Sequence, residues 1–220
     1  KITDQRATAA LSGTLYDEPD PGVRIIACES LGYMGDPCVV DPLIHALDDE
    51  DPRVQAAAVR SLGYLGVQRA AGPLTAIFLS EDSSLCDAAS EALKTLGPEA
   101  VAVLASRLPD GDSAYRGRVA EALENLNWVP ETESELINYL MANDQWHEIE
   151  EIGERAIPFL SEALNDEDVN VRIGAVTAIT GIGGEAAEAA LTRALLDPQV
   201  MIRKRAESAL RGIKAVKSSS

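Results

Sequence analysis

Aromatic residues are scarce: Phe, Trp and Tyr make up 4% of this 220-residue chain, although 46% of it is hydrophobic. Its core must therefore be built from Ala, Leu, Val and Ile. Such a core suits closely packed helices better than a β-sandwich. Histidine occurs only twice, as His45 and His147. Cysteine occurs three times, as Cys28, Cys38 and Cys86, at uneven spacing. An odd count without paired spacing argues against a disulfide framework and for reduced thiols in the cytoplasm. No run approaches the roughly 20 apolar residues of a membrane span, so no membrane partner is expected. No signal-peptide pattern is visible, and Lys1 is not a start methionine. Basic residues are outnumbered, 19 against 36 acidic, for a net charge of −17. Gln199 to Ser220 alone carries +5, which leaves −22 on the remainder. Nucleic acid is bound chiefly by neutralising phosphates with Lys and Arg, so nucleic acid is not an expected partner. The acid excess serves solubility first and favours basic protein partners second.

What the chain does have is a repeat. Asp20-Pro-Gly-Val-Arg…Ser-Leu-Gly-Tyr-Met-Gly35 returns as Asp51-Pro-Arg-Val-Gln…Ser-Leu-Gly-Tyr-Leu-Gly66, 31 residues on. A fixed period in this range predicts a solenoid, whose units bury their apolar faces only by stacking on neighbours. Unit ends fall at Gly35, Gly66, Gly97, Asn127, Gly153, Gly183 and Lys214, and each unit reads as two antiparallel helices, A then B. The units span about 1–35, 36–66, 67–97, 98–127, 128–153, 154–183 and 184–214 of one solenoid over 1–220, with 215–220 a polar tail. Helix A carries a Leu column: Leu43, Leu74, Leu104, Leu160, Leu191. Helix B carries Leu31, Leu62, Leu93, Leu123, Ile149, Ile179, Leu210. Four residues earlier runs a small column, Ala27, Ala58, Ala89, Val119, Ala175, Ala206. Four before that come Val23, Val54, Leu85, Tyr115, Val171, Ile202. Apolar residues at i, i+4 and i+8 form one helical stripe, and small residues in its middle allow close helix approach.

Local signals agree with the period. Asp20, Asp51, Asp82, Asp112 and Asp168 stand three residues before the Val column, as N-caps. Pro21 and Pro52 follow at the first helical position, where no donor is lost. Gly35, Gly66, Gly97 and Gly183 supply left-handed stops. These residues, Asp-x-x-Val-Arg…Ala…Ala-Leu-Gly-x-x-Gly, resemble the HEAT-repeat family in its short, PBS-lyase-type form. The resemblance runs from about Asp20 to Lys214. It implies an all-α, α–α superhelix of about seven helical pairs, armadillo-like, with B helices lining the concave side. In similar repeats the Arg after the Val column pairs with loop acids of a neighbouring unit. Here that column reads Arg24, Gln55, Cys86, Arg116, Arg172 and Arg203.

The fifth unit breaks the pattern. It is short and holds both tryptophans, Trp128 and Trp146, which are expected to fill space left by a shortened B helix. Thr132 and Glu135 form a candidate capping box at its start. A change in curvature, or a hinge, between units 1–4 and 6–7 is the functional alternative. The end units also depart, with Ser12 in the Leu column and Gln199 in the cap column, and are expected to cap the solenoid with a polar outer face.

No chemistry is found. His147-Glu148 is a single dipeptide, whereas HEAT-fold di-iron hydroxylases need several. No Cys-x-x-Cys and no histidine pair at ligand spacing is present. Gly181-Ile-Gly183-Gly184 follows a helix and not a strand, so it reads as a helix stop, not a phosphate loop. His45 falls on a convex, exposed helix-A position. No enzyme activity, cofactor or metal is therefore expected.

The concave face is the place for a partner. Two residues before the Leu column, helix B reads Glu29, Arg60, Glu91 and Glu121. Two after it stand Tyr33 and Tyr64. Tyr and Arg are enriched at binding hot spots. The competing reading is that each Tyr packs over the neighbouring repeat with only its hydroxyl in water. The expected function is a non-catalytic scaffold presenting this surface to a protein or peptide, with basic partners favoured. The alternatives are an accessory subunit of a modifying enzyme, as in the phycobilin lyases this repeat type resembles, and a HEAT-like DNA-repair protein, which the acidity disfavours.

Overall fold

A computed structural model describes residues 5–80 and 83–219. Most of the described residues are helical, with no strand among them. The order is α1 (Gln5–Asp17), α2 (Pro21–Met34), α3 (Val40–His45), α4 (Pro52–Leu65), α5 (Ala71–Phe78), α6 (Cys86–Leu96), α7 (Pro98–Arg107) and α8 (Ser113–Asn125). It continues with α9 (Glu133–Ala142), α10 (Trp146–Ile152), α11 (Ile157–Ala163), α12 (Val169–Ile182), α13 (Gly184–Ala194) and α14 (Val200–Ser219). Odd-numbered helices are the A helices and even-numbered ones the B helices of an α–α solenoid. Contacts divide the chain into two units, one running to Ser106 with Ala122–Trp128, the other Arg107–Glu121 with the residues from Val129 on.

The columns are the cores. In the first unit Leu31, Leu62, Leu93, Leu43 and Leu74 are buried with Ala27, Ala58 and Ala89. In the second, Ile149, Ile179, Leu160 and Leu191 are buried with Ala175 and Ala206. Each buried Leu or Ile contributes about 1.5–3 kcal/mol of transfer free energy. The Val column is buried at Val54, Val171 and Ile202, but Val23 is 41% exposed because the first B helix has no described neighbour on that side.

The signature glycines do more than end helices. A methyl on Gly32 would lie 2.8 Å from Ser61 Cβ, and one on Gly63 2.8 Å from Ala92 Cβ. Thus α2, α4 and α6 touch backbone to side chain along one line. Ser61 uses this closeness, its hydroxyl donating to the Cys28 carbonyl at 2.8 Å inside the core. Cys28 is fully buried, and burial, reinforced by the charges of Asp49 and Glu29, pushes its thiol up to about 12. It is therefore inert as a nucleophile while the chain is folded.

Helix ends follow the local code with two corrections. Asp20, Asp51 and Asp168 accept from the backbone N–H two residues on, at 2.7–2.8 Å, and Asp112 accepts from Tyr115 N at 2.8 Å. Asp82 lies outside the described residues. Gly35 and Gly66 are left-handed as expected. Gly97 (φ 61°, ψ −121°) and Gly183 (φ 66°, ψ −162°) have positive φ but not the left-handed ψ. That region is open essentially to glycine alone. The second correction concerns the first unit, which is not polar on its outer side. Val23 and Ile26 are 41% and 62% exposed.

Depressed carboxylates set an acid limit on this fold. The side-chain and backbone hydrogen bonds of Arg53 hold Asp51 down at about 2. Hydrogen bonds from Ser113 lower Asp168, and backbone N–H groups of Glu131 and Thr132 lower Glu135. Burial pushes Asp49 up, but the Arg24 and Asp51 bonds outweigh it and the net shift is downward. A carboxylate whose folded value lies below its unfolded value of about 4 stabilises the fold fully above pH 4. That contribution is lost as pH falls through the folded values. The urea midpoint, followed by far-UV circular dichroism, is expected to stay level between pH 7 and 5 and to fall steadily from pH 4 to pH 2. A midpoint unchanged at pH 2.5 would contradict these shifts.

Candidate protein-binding surface

The expected surface begins with α2 and α4, which the Gly32–Ser61 contact holds in register. Positions 31 residues apart thus lie side by side. Tyr33 and Tyr64 stack, with ring centroids 6.2 Å apart and planes inclined by 19°. Both rings stand in water, 75% and 69% exposed, so neither is packed over its neighbour. Two residues before the buried Leu column, Arg60 faces Glu29 at 3.8 Å, each about half exposed. One step further, on α6, Glu91 pairs with Lys94 at 2.7 Å. Five of the six expected residues therefore share the B-helix face of the first unit. Glu121 is exposed but belongs to the second unit.

The Arg column is structural. Arg24 donates from Nε and one terminal nitrogen to Asp49, both at 2.8 Å, and from the other to the carbonyls of Glu18 and Pro19. Arg172 repeats this with Asp197 at 2.8 Å and the carbonyls of Asp166 and Glu167. Gln55 keeps the rung without charge, its amide donating to Asp49 O. Arg116 reaches Asp166 at 2.7 Å, passing over the fifth pair. It can do so because α10 is only seven residues long and begins two turns late. The same truncation explains Trp146, which lies directly on Gly174 of α12, its Nε1 held by Asp144 at 3.3 Å. Trp128 is half-buried. His45 is exposed and packs against Tyr16, with centroids 4.6 Å apart.

One feature was not expected from sequence. An apolar groove of about 720 Å³ separates α12 from α14, lined by Val176, Thr180, Arg205, Ala209, Gly212 and Ile213. Its sequence signal is Thr180, which stands where Gly32 and Gly63 allow contact in the first unit. No group of three His, Cys, Asp or Glu among the described residues is placed to hold a metal ion. No described helix is long and apolar enough to cross a membrane.

Among solved structures the chain is similar to an engineered protein at 21% identity, covering 94% of this chain and 96% of that one, TM-score 0.40. It is also similar to a computationally designed armadillo repeat protein for modular peptide recognition (17% identity, 92% and 98% covered, TM-score 0.40). A third is the complex of CpcE and CpcF of phycocyanin lyase from Nostoc sp. PCC7120 (23% identity, 97% and 77% covered, TM-score 0.39). No curated protein matches the sequence. The family model for HEAT repeats matches residues 8–94 and 146–211. With more than half of its length matched, the chain belongs to the HEAT-repeat family.

Proposed function

We propose that this chain is a protein-binding scaffold that docks its partner on the B-helix face of α2, α4 and α6. The observation that carries this reading is the Tyr33–Tyr64 stack, two large rings held parallel and left exposed. An exposed aromatic pair gains more from a partner than from water, and two rings already stacked lose little side-chain freedom on binding. Glu29 and Glu91 lie on the same B-helix face, beside Arg60 and Lys94 respectively, and the chain carries −17 overall. A protein or peptide segment with basic residues fits best, its cations placed over the rings and beside the carboxylates. Glu121, in the second unit, is left out of this surface.

The test is capture from host lysate by the parent chain and by the Tyr33→Ala/Tyr64→Ala/Arg60→Glu variant, read by mass spectrometry. All three positions are exposed, so the variant is expected to keep the parent's circular dichroism and melting curve. A partner held by the parent and lost from the variant is the expected result. A partner held equally by both would remove this surface from the proposal.

A further inference from the structure

The groove between α12 and α14 opens where the repeat replaces a glycine. At Gly32 and Gly63 the residue after the buried Leu lets the next B helix touch its backbone. In α12 that position is Thr180, and α14 packs on α12 far more sparsely than α4 packs on α2. The space left is about 720 Å³, within the roughly 300–1,000 Å³ of small-molecule sites. Both are B helices and run the same way. The lining follows them from Val176 and Arg205 at one end to Gly184 and Ile213 at the other. About eight residues of each helix take part, which is about 12 Å. The floor is apolar, with Val176 and Ala209 buried and Ile213 half-buried.

Two polar side chains in this lining have no partner. Thr177 and Thr180 spend their hydroxyls on the Ile173 and Val176 carbonyls, at 2.9 and 2.6 Å. Arg205 and Ser208 also line the groove, yet among the described residues neither has an ion pair or a side-chain hydrogen bond. They stand three residues apart on α14 and so share one face. Lys204, exposed beside them, adds a second unpaired cation. No acid on either helix offsets these charges. α12 has none, and the one acid of α14, Glu207, is paired with Arg211. The nearby acids lie elsewhere. Glu154 Oε1 is 2.9 Å from where a methyl on Gly184 would be, at the other end, and Glu185 follows in the chain. Glu150 lies over Gly181 on the α10 side, beside His147. The groove is thus apolar along its length, cationic at one end and acidic at the other.

We propose that this groove binds a small amphipathic anion, an apolar body carrying one carboxylate. The body lies on Val176, Ala209 and Ile213. The carboxylate accepts from the Arg205 guanidinium and the Ser208 hydroxyl, bonds that charge makes stronger than neutral ones. Glu154 and Glu185 repel a carboxylate at the opposite end, which fixes one orientation. Spread over about 12 Å, the volume gives a cross-section of about 60 Å², less than a partner helix about 10 Å across would fill. A small molecule fits this slot better than a docked helix. The site lies in the second unit, apart from Tyr33 and Tyr64 in the first, and does not depend on the scaffold reading.

Isothermal titration of the full chain with decanoate, whose length is close to that of the groove, tests the proposal. One decanoate per chain is expected, with a Kd below about 1 mM. Decyltrimethylammonium, the same chain with the opposite charge, should bind at least about 10-fold more weakly. Arg205→Glu should weaken decanoate by about 10-fold or more and keep the parent's melting curve, since Arg205 is exposed and unpaired. Gly212→Leu should abolish binding without loss of stability. Nothing lies within 4 Å of a methyl built on Gly212, so the leucine has room, occupies the groove and favours the helix. Tyr33→Ala/Tyr64→Ala should bind decanoate as the parent does. A parent that takes up no decanoate at about 1 mM overturns the proposal. So does equal binding of the cationic chain, or decanoate binding that survives either Arg205→Glu or Gly212→Leu. Binding lost in Tyr33→Ala/Tyr64→Ala would place the site at the aromatic pair and overturn it as well.

Discussion

Arg172→Ala is expected to destabilise the second unit by about 3–5 kcal/mol, a large share of the roughly 5–15 kcal/mol that holds a domain folded. The reason is the state of what remains. The Asp197 side chain is only 4% exposed, and its Oδ2 would lose the guanidinium at 2.8 Å. The carbonyls of Asp166 and Glu167 would lose their donor in the same step. The pair itself contributes little net energy, since both charges are desolvated to form it. The cost comes from leaving one buried charge alone. Asp197 keeps a second task, accepting from Gln199 N at 2.7 Å at the start of α14. Asp197→Asn should therefore also cost stability, and the Arg172→Ala/Asp197→Asn double variant should cost less than the sum by more than about 1 kcal/mol. Urea midpoints give the three values. Because repeat arrays couple mainly between neighbours, amide exchange should quicken in α11 to α14 far more than in α2 to α6. Additive losses, or a loss under about 1 kcal/mol, would show that water reaches Asp197 and that the rung is a surface pair.

Gly63→Leu is expected to cost about 3 kcal/mol or more, whereas Gly13→Ala should be stabilising by several tenths of a kcal/mol. Both glycines sit in helices, where replacement by a residue with a Cβ ordinarily gains about 0.5–1 kcal/mol. At Gly13, inside α1, nothing lies within 4 Å of the new methyl, so the gain stands. At Gly63 the methyl alone would sit 2.8 Å from Ala92 Cβ and 2.9 Å from Ala92 Cα. Ala92 Cα is backbone and cannot swing aside, so α4 and α6 must separate. Overpacking of this kind costs about 1–3 kcal/mol for added methylenes, and a whole isobutyl group exceeds that. Separation also strips Ala57, Ala58 and Leu62 of contacts in a core with few voids to absorb the shift. Thermal melts of both variants decide the matter. A Gly63→Leu protein as stable as the parent would mean that the two helices can move apart freely.

The periodic columns were legible because they depend only on which residues share a helix face. Leu31, Leu62 and Leu93 repeat at the unit period and all are buried. Asp20, Asp51 and Asp168 stand at the start of their helices, and a cap acts within one turn of its own residue. The Tyr33–Tyr64 register was legible for the same reason, since two positions one period apart on stacked helices must be neighbours. Their exposure was not legible. It depends on how far each ring extends past the next repeat, a distance set by the packing below it.

By itself, then, the sequence determined the repeat, the helical pairs, the buried stripes and the caps, all of which follow from local geometry at a 3.6-residue turn and a 31-residue period. Only the tertiary structure decided the spacing between helices. That spacing makes Gly32 and Gly63 points of contact and not just parts of a turn. It opens a groove where Thr180 stands in their place. It lets Arg116 reach over the short α10 to Asp166, and it leaves Val23 and Ile26 bare where Val54 and Ala57 are covered. Spacing is a property of two surfaces together, and a single column of residues specifies only one of them.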